Sequence, residues 1–360
     1  MPHKRYLFLV LSPFRAVLCT ILVGFIVFWA LMGQTLFYFY IGSGNNFVYK
    51  SGTLAVHFVD VGHGNCTILQ LPDGKVAIID GGSDFYKHRV RNYIQTRIRP
   101  RRNHIDYIIN THPHVDHLEG LLFIKKHFSY GKFLTTEDNP GGKYKRHQKI
   151  TEGLTIRGKD YRIRFHAVES PLVDLVEVND YEVENQVCNE MSPIITIEYF
   201  KQVFVITGDA GHSTERQFIE DTPDATRIFG EWVAETPKAP RRADDLTVYL
   251  QVGHHGSRNS TMTYFLDFLR PDVAIIPVGY ASEILYGHPH PTVTDNLKEE
   301  GIKTYLTREA GHVVFRCDGN NVKKFLGFSN PPDLTFLWIV VTIAIIVVCF
   351  LNYTPSRLRP

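Results

Sequence analysis

The sequence predicts an α/β domain, and three observations support this fold class. Short apolar runs rich in Val, Ile, Tyr and Phe recur along the middle of the chain, each bounded by turn residues, as β-strands are. Stretches with helical spacing of apolar residues lie between several of these runs. The 360 residues, 44% of them hydrophobic, are enough to bury a large core. Strands and helices interleaved in this way indicate helices packed on sheets.

The predicted elements follow one another in a regular order. Strands are predicted at residues 54–59, 67–71, 76–79, 105–109, 161–168, 194–199, 203–206, 246–252, 273–277 and 303–306. Helices are predicted at residues 85–98, 118–128, 213–220, 262–269 and 292–300. The sequence contains neither an internal repeat nor a low-complexity tract. All of these elements are therefore assigned to one domain, from residue 50 to residue 330.

Two uncharged apolar segments flank the predicted domain. Residues 16–41 and 334–352 each contain close to the ~20 apolar residues that cross a bilayer as a helix, and both are predicted transmembrane helices. The first segment is longer than the apolar part of a secretory signal and lacks a clean cleavage site, which favours an uncleaved anchor. Lys and Arg residues flank both segments on the side away from the domain. Residues 1–15 and 353–360 are therefore expected to be cytoplasmic and the domain periplasmic or extracellular.

The charge of the chain gives only local information about partners. The net charge of +2 at pH 7 carries no global signature of polyanion binding. Two basic runs, at residues 97–102 and 143–149, are either solvated loops or a surface that follows phosphate groups near the functional site. The five cysteines have no C-x-x-C spacing, so neither a disulfide framework nor a zinc knuckle is predicted.

A histidine-rich segment follows the predicted strand at residues 105–109. It contains three histidines and one aspartate within six residues, His112-Pro113-His114-Val115-Asp116-His117. Its position between a strand and a helix is where open α/β sheets place their functional sites. Imidazole and carboxylate groups suit a zinc-like ion, which disfavours a merely solvated turn. His112 and His114 are expected to share one side of a metal centre, and Asp116 and His117 the other.

These residues resemble the H-x-H-x-D-H signature of the metallo-β-lactamase superfamily. Five further motifs resemble the DVGQGD, DGG, TGD, HHGS and YGHP motifs in the hydrolase domain of ComEC-type DNA-uptake competence proteins. In this chain they are Asp60-Val61-Gly62-His63-Gly64-Asn65, Asp80-Gly81-Gly82, Thr207-Gly208-Asp209, His254-His255-Gly256-Ser257 and Tyr286-Gly287-His288-Pro289. The chain departs from the pattern at His63 and Asn65, which replace Gln and Asp. It also departs in a longer segment before His254, with residues 220–242 as the expected insertion.

The resemblance implies a four-layer αβ/βα sandwich that holds two divalent metal ions, zinc first and manganese as the alternative. The expected ligands are His112, His114, Asp116, His117, Asp209, His254 and His288. Adjacent strand residues point to opposite faces, so only one of His254 and His255 is expected to bind metal directly. His254 is assigned to the first ion, and His255 is assigned to orientation or proton donation.

Other polar residues near the motifs are given supporting roles. Asp60 and Asp80 are expected to orient ligand histidines, since carboxylates commonly fix the tautomer of a metal-binding imidazole. Asn189, Ser192 and Ser257 are candidate substrate contacts, and the first two are equally compatible with capping a turn.

The predicted function is hydrolysis of a phosphodiester, most simply in nucleic acid, by an enzyme anchored in the membrane. The expected reaction uses a hydroxide that bridges two ions, with Asp116 among the catalytic groups and His255 as a proton donor. Three alternatives stay open on the same site: a phosphocholine-type esterase acting on the cell envelope, a lactonase and, least favoured, a β-lactamase. A non-catalytic receptor for nucleic acid or envelope is the remaining alternative.

Overall fold

The computed structural model describes Gly24 and residues 49–138, 144–168, 181–222 and 246–326. All of these except Gly24 belong to one compact unit, Phe47–Ser329. Apart from Gly24, the predicted membrane segments lie outside the described residues, as does most of the predicted insertion at residues 220–242. Among the residues described, no helix combines the length and apolar character needed to cross a membrane.

The described residues contain fifteen strands and eight α-helices. The strands are β1 Leu54–Phe58, β2 Thr67–Gln70, β3 Val76–Ile79, β4 His104–Asn110, β5 Ser129–Thr135, β6 His147–Lys149, β7 Thr155–Arg157, β8 Tyr161–His166, β9 Ile194–Tyr199, β10 Gln202–Ile206, β11 Thr247–Gln251, β12 Val273–Ile276, β13 Lys303–Leu306, β14 Val313–Cys317 and β15 Val322–Leu326. The helices are α1 Lys87–Tyr93, α2 Val115–His127, α3 Tyr181–Glu190, α4 His212–Asp221, α5 Thr263–Leu269, α6 Tyr280–Tyr286, α7 Pro291–Glu299 and α8 Thr307–Ala310. Short helical turns, three of them 3₁₀ and one of π type, cover Asp84–Tyr86, Ile94–Ile98, Arg101–Asn103 and Gly253–Gly256.

Two mixed sheets form the centre of the domain. One has the order β15-β14-β1-β2-β3-β4-β5-β6, and the other has the order β13-β12-β11-β10-β9-β8-β7. Strands β3 to β6 run parallel to one another, and so do β10 to β13. Parallel strands end at a common edge, so the loops that follow β3, β4, β10 and β11 can converge.

Three apolar clusters define the layers. The largest contains Phe58 and Ile109 of one sheet with Ile197 and Phe204 of the other, and therefore lies between the sheets. The second joins the outer face of one sheet to helices α4, α5 and α7, and the third joins the outer face of the other to α1 and α2. Helices thus cover both outer faces, and the central strands β1, β3, β9 and β10 are buried on both sides. The prediction of an α/β fold with two packed sheets is confirmed.

The sequence missed several elements near the edges of the sheets. All ten predicted strands and all five predicted helices overlap observed ones, whereas β5, β6, β7, β14, β15, α3, α6 and α8 were not predicted. Strand β5 contains Gly131 and exposed polar residues, and β6 and β7 have three residues each. Such elements depend on their neighbours in the sheet rather than on a strong local pattern.

Candidate metal centre

Four side chains from three separated stretches of the chain meet at the common edge of the parallel strands. Asp116 and His117 lie in the first turn of α2, Asp209 follows β10, and His255 follows β11. One ligand atom from each of these four lies within 4.8 Å of all the others. His117, Asp209 and His255 are buried, while Asp116 is partly exposed. The group is therefore accessible to solvent on the Asp116 side.

His117 is held in one orientation by Asp80. Its Nδ1 lies 2.7 Å from Asp80 Oδ2, and because a carboxylate only accepts, Nδ1 carries the proton. In the neutral ring, the Nε2 lone pair therefore faces Asp209 Oδ1, at 3.2 Å. Close backbone packing makes this possible, since Gly81 and Gly120 touch so closely that a Cβ on either would overlap the other segment. Asp80 thus contacts a histidine of the group, and its role in orienting a metal ligand stays a prediction.

His255 is oriented in the same manner by a backbone carbonyl. Its Nδ1 donates to the Pro277 carbonyl oxygen at 2.8 Å, so the neutral ring presents a lone pair at Nε2. That atom lies 3.1 Å from Asp116 Oδ2 and 3.6 Å from Asp209 Oδ2. An imidazole lone pair facing carboxylate oxygens is repulsive unless a proton or a metal ion lies between them.

His112 and His114 form a second pair beside this group. His112 Nε2 lies 3.0 Å from His114 Nδ1 and 3.9 Å from Asp209 Oδ2. The other ring nitrogen of His112 lies 3.1 Å from the hydroxyls of Thr111 and Ser192. Asp209 is therefore the member of the four-residue group that also lies near His112.

The pKa values reflect this crowding of opposite charges. Burial lowers the pKa of His112 well below its ordinary value, and the neighbouring His117 lowers it further. At His117 burial acts in the same direction, but the carboxylates of Asp209 and Asp80 outweigh it and raise the pKa well above the ordinary value. Burial disfavours the charged form of Asp209, yet His117 and other imidazoles hold its pKa well below the usual range.

The chemistry of these donors fits divalent metal ions. His117 Nε2 and Asp209 Oδ1 are both buried and, among the described residues, neither has a hydrogen-bond partner. Buried polar atoms are nearly always partnered in proteins, and a divalent cation bound between these two atoms would partner both of them. Imidazole nitrogens with carboxylate oxygens are ligands that zinc accepts, and manganese accepts the carboxylates equally.

The structure separates His254 from His255, but for a reason other than strand alternation. Both lie in the turn Gly253–Gly256, with φ angles of 45° and 55°, after β11 has ended. His254 Nε2 lies 3.9 Å from Asp209 Oδ2, and His254 is outside the four-residue group. His288 packs against His254 with 5.3 Å between ring centroids, and its buried Nδ1 has no hydrogen-bond partner among the described residues. His254 and His288 thus lie together at the Asp209 side of the centre.

The remaining predicted residues have structural contacts that the sequence did not reveal. Asp60 contacts Arg89 and the backbone of Gly62, and no contact found for it in the described part of the chain involves a candidate ligand. Ser192 accepts from the backbone N–H of Asp209, while the Asn189 carbonyl accepts from the Ser192 N–H. The hydroxyl of Ser257 accepts within its own turn, at 3.4 Å from Asn259 N.

Sequence reasoning missed the role of His63, which it treated only as a departure from a motif. Its Nε2 lies 3.6 Å from Asp116 Oδ2, and its ring centroid lies 4.3 Å from that of His255. Its Nδ1 contacts the Ser282 hydroxyl at 3.0 Å, and the ring stacks on Tyr286. A histidine between two glycines just after the first strand was the available signal. His63 therefore belongs to the wall of the centre.

The two basic runs lie at different distances from the centre. Arg101 and Arg102 directly precede β4, so they lie at the end of that strand opposite to the site. Of the two interpretations given for residues 97–102, this position favours the solvated loop. In the second run, Lys149 ends β6 and pairs with Thr135, the residue that pairs with Asn110 at the site end of β4. This second run reaches the functional edge because β4, β5 and β6 are parallel.

Comparison with known proteins identifies the family. The sequence model of the metallo-beta-lactamase superfamily matches residues 59–280, which is more than half of the 360-residue chain. The chain therefore belongs to the metallo-beta-lactamase superfamily. The matched stretch contains all four members of the Asp116, His117, Asp209 and His255 group.

Three curated relatives are similar to the same region. Recombination protein 2 of Haemophilus influenzae is 26% identical over 266 residues, which are 72% of this chain and 28% of that protein. ComE operon protein 3 of Bacillus subtilis is 24% identical over 290 residues, or 72% of this chain and 33% of the relative. Competence protein ComA of Neisseria gonorrhoeae is 35% identical over 74 residues, which are 21% of this chain and 10% of that protein. The chain thus spans at most a third of these relatives, and the resemblance to competence proteins is confirmed.

Proposed function

We propose that this member of the metallo-beta-lactamase superfamily is a membrane-anchored, two-metal phosphodiesterase that cleaves nucleic acid. One observation carries the proposal: imidazole and carboxylate groups from three separated loops converge around Asp209 at one edge of the parallel strands. The similarity to proteins named for recombination and competence supports nucleic acid as the substrate class. The uncharged segments 16–41 and 334–352 support the anchoring.

The residues divide into those that would hold metal and those that orient them. Asp116, His117, Asp209 and His255 would hold one ion, and His112 and His114 with Asp209 would hold the other. Because Nδ1 of His255 donates to a carbonyl, this ring serves as a ligand rather than as a proton donor in its neutral form. His254 and His288 are then the imidazoles left to contact the substrate or to complete the second position.

The side chains of the site would hold and orient the metal ions, and the bound ions would activate water and the phosphodiester. Divalent ions, when bound, lower the pKa of water and neutralise charge on a phosphate. Asp80 and Pro277 fix the two rings that face Asp116, so little reorganisation is needed when the site is loaded. Partly exposed Asp116 marks the direction from which a phosphodiester can approach.

The proposal is tested by cleavage with a defined metal. The purified full chain, stripped of metal, is incubated with single-stranded DNA, duplex DNA, RNA and bis-p-nitrophenyl phosphate, with zinc and with manganese in separate reactions. We expect metal-dependent cleavage that is lost in His114→Ala. A matched control is His104→Ala, since His104 lies at the opposite end of β4 and contacts only the Ser129 hydroxyl among the hydrogen bonds found for its side chain in the described residues.

Two outcomes would overturn the proposal. Full activity in a correctly folded His114→Ala variant would exclude the two-metal site as the source of cleavage. Stoichiometric metal binding with no cleavage of any phosphodiester would reassign the centre to another ester, of which a phosphocholine ester and a lactone are the first to test. Membrane anchoring is tested separately, by measuring whether the protein remains in the membrane fraction after alkaline carbonate extraction.

A further inference from the structure

Large apolar side chains are exposed on one part of the described surface. Seven of them are strongly exposed in the described residues, and six come from three short stretches: Phe85, Val115, Tyr280, Ile284, Leu285 and Tyr286. Phe85 is 94% exposed and Ile284 is 87% exposed, values at which a side chain has almost no contact with its own domain. We call these six residues the apolar rim. Large apolar patches of this kind mark interaction sites in soluble domains.

The apolar rim borders the metal centre on the side of the His63 loop. Its three stretches follow β3, β4 and β12, which end at the edge that carries the centre. They meet around the loop Gly62-His63-Gly64, where a Cβ on Gly62 would strike Tyr86 and one on Gly64 would strike the Asp116 backbone. On the third side, Gly279 packs against Gly62, directly before α6. The rim is therefore one surface and not three unrelated exposures.

The composition of the rim distinguishes between possible partners. Single-stranded nucleic acid is bound by aromatic platforms flanked by cations that follow the backbone. Three of the six rim residues are aliphatic and offer no ring face, and nearby cations are matched by carboxylates: Lys87 by Asp84 at 2.6 Å and Arg308 by Glu283 at 2.8 Å. Tyr, Phe, Leu and Ile together are instead the residues that enter the boundary between lipid headgroups and acyl chains.

The direction of the C-terminal chain points to the same partner. Leu326 pairs with Val313, which pairs with Phe58 at the end of β1 that leads to the His63 loop. Leu326, the seventh exposed apolar residue, therefore lies at the site end of its sheet. The uncharged segment 334–352 begins eight residues further on, from 326 to 334. The chain thus leaves the described domain at the end that carries the rim and soon reaches a segment apolar enough for a bilayer.

We propose that the apolar rim docks on a lipid bilayer, so that the mouth of the metal centre opens at the membrane surface. This inference rests on the proposed membrane anchoring and not on the proposed cleavage chemistry. It restricts substrates to phosphodiesters that reach the centre along the membrane surface.

Photocrosslinking of the full chain tests this docking without any measurement of activity. Ile284 and Phe85, which lie on different stretches of the rim, are replaced one at a time by p-benzoylphenylalanine. Arg102, exposed at the opposite end of β4, receives the same replacement as the matched control. Each protein is reconstituted with nanodiscs of phosphatidylcholine and phosphatidylglycerol, irradiated in the presence of single-stranded DNA, and analysed by mass spectrometry.

We expect lipid adducts at positions 284 and 85 and no lipid adduct at position 102. Adducts to DNA alone would overturn the docking and make the rim a nucleic-acid platform. Adducts to a second copy of the chain alone, or no lipid adduct at either rim position, would overturn it as well. Since the readout is the adduct, a chain without nuclease activity can still support the docking, and an active nuclease can still fail it.

Discussion

The two halves of the metal centre differ in how firmly their residues are held. In the Asp116 half, formed by Asp116, His117, Asp209 and His255, all four ligand atoms lie within 4.8 Å of one another. In the His112 half, formed by His112 and His114, the two rings approach to 3.0 Å, but Asp209 is 3.9 Å away and His114 is partly exposed. The first half therefore gathers four ligand atoms around one position for an ion, whereas in the second half only the two imidazole nitrogens are close together.

The difference arises from the groups that hold each ring. In the Asp116 half a carboxylate, that of Asp80, accepts from His117 at 2.7 Å. In the His112 half the partners of the ring are the neutral hydroxyls of Thr111 and Ser192, each at 3.1 Å. Hydrogen bonds to an ionised group are roughly twice as strong as those between neutral groups. The Asp116 half is therefore expected to bind its ion more tightly, and the His112 half to exchange it.

The largest effect is expected where the halves meet. Asp209→Asn removes the negative charge next to His117, His255 and His112 at once. Activity should fall by more than the ~100-fold that loss of an orienting partner costs, and both ions should be lost. Metal analysis after dialysis, beside the rate of ester hydrolysis, measures this. Retention of one tightly bound ion would show that the halves are independent.

The next test removes one ligand from each half. His117→Ala should abolish binding of the more tightly held ion, whereas His114→Ala should still bind about one ion per chain. Zinc at 100 times its dissociation constant stabilises a folded protein by about 2.7 kcal/mol, so a rise in Tm on zinc addition should persist only in His114→Ala. Differential scanning calorimetry with and without zinc checks this. The same response in both variants would contradict the proposed asymmetry.

The adjacent histidines of the turn after β11 provide a sharper comparison. His255→Gln should weaken metal binding by ~100-fold or more, because Nε2 of His255 faces two carboxylates at 3.1 and 3.6 Å. His254→Gln should cost ~10-fold or less, because His254, unlike His255, lies outside the group of four ligand atoms that are within 4.8 Å of one another. Competition titration with a zinc chelator gives both affinities. The opposite order would restore His254 as the ligand.

The smallest effects are expected for the residues that orient the rings. Asp80→Asn should reduce metal affinity by ~10–100-fold, because the partner of His117 loses its charge. Ser192→Ala should have a smaller effect, since Thr111 still contacts the same nitrogen of His112. Both are measured by chelator competition, with circular dichroism of the metal-free protein to confirm folding. Equal losses in the two variants would remove the explanation offered for the asymmetry.

Most of the fold could be predicted from the sequence because its central strands and helices have strong local patterns of apolar residues. The apolar runs that became β1, β3, β9 and β10 are buried on both faces, and so they stand out without knowledge of their partners. Strand β5, with Gly131, and the short β6 and β7 are stabilised by pairing across the sheet. Pairing partners are distant in the sequence, and no local pattern reports them.

The sequence by itself determined which residue types were available for metal and on which strand ends they lie. The cluster His112 to His117 after β4 and Asp209 after β10 follow from that pattern alone. Only the tertiary structure decided that His255, held by the Pro277 carbonyl, faces Asp116, and that His63 joins the same wall. It also placed the two basic runs at different ends of the strands. The reason is physical: residue chemistry is local, whereas distance and orientation depend on backbone packing between segments far apart in the chain.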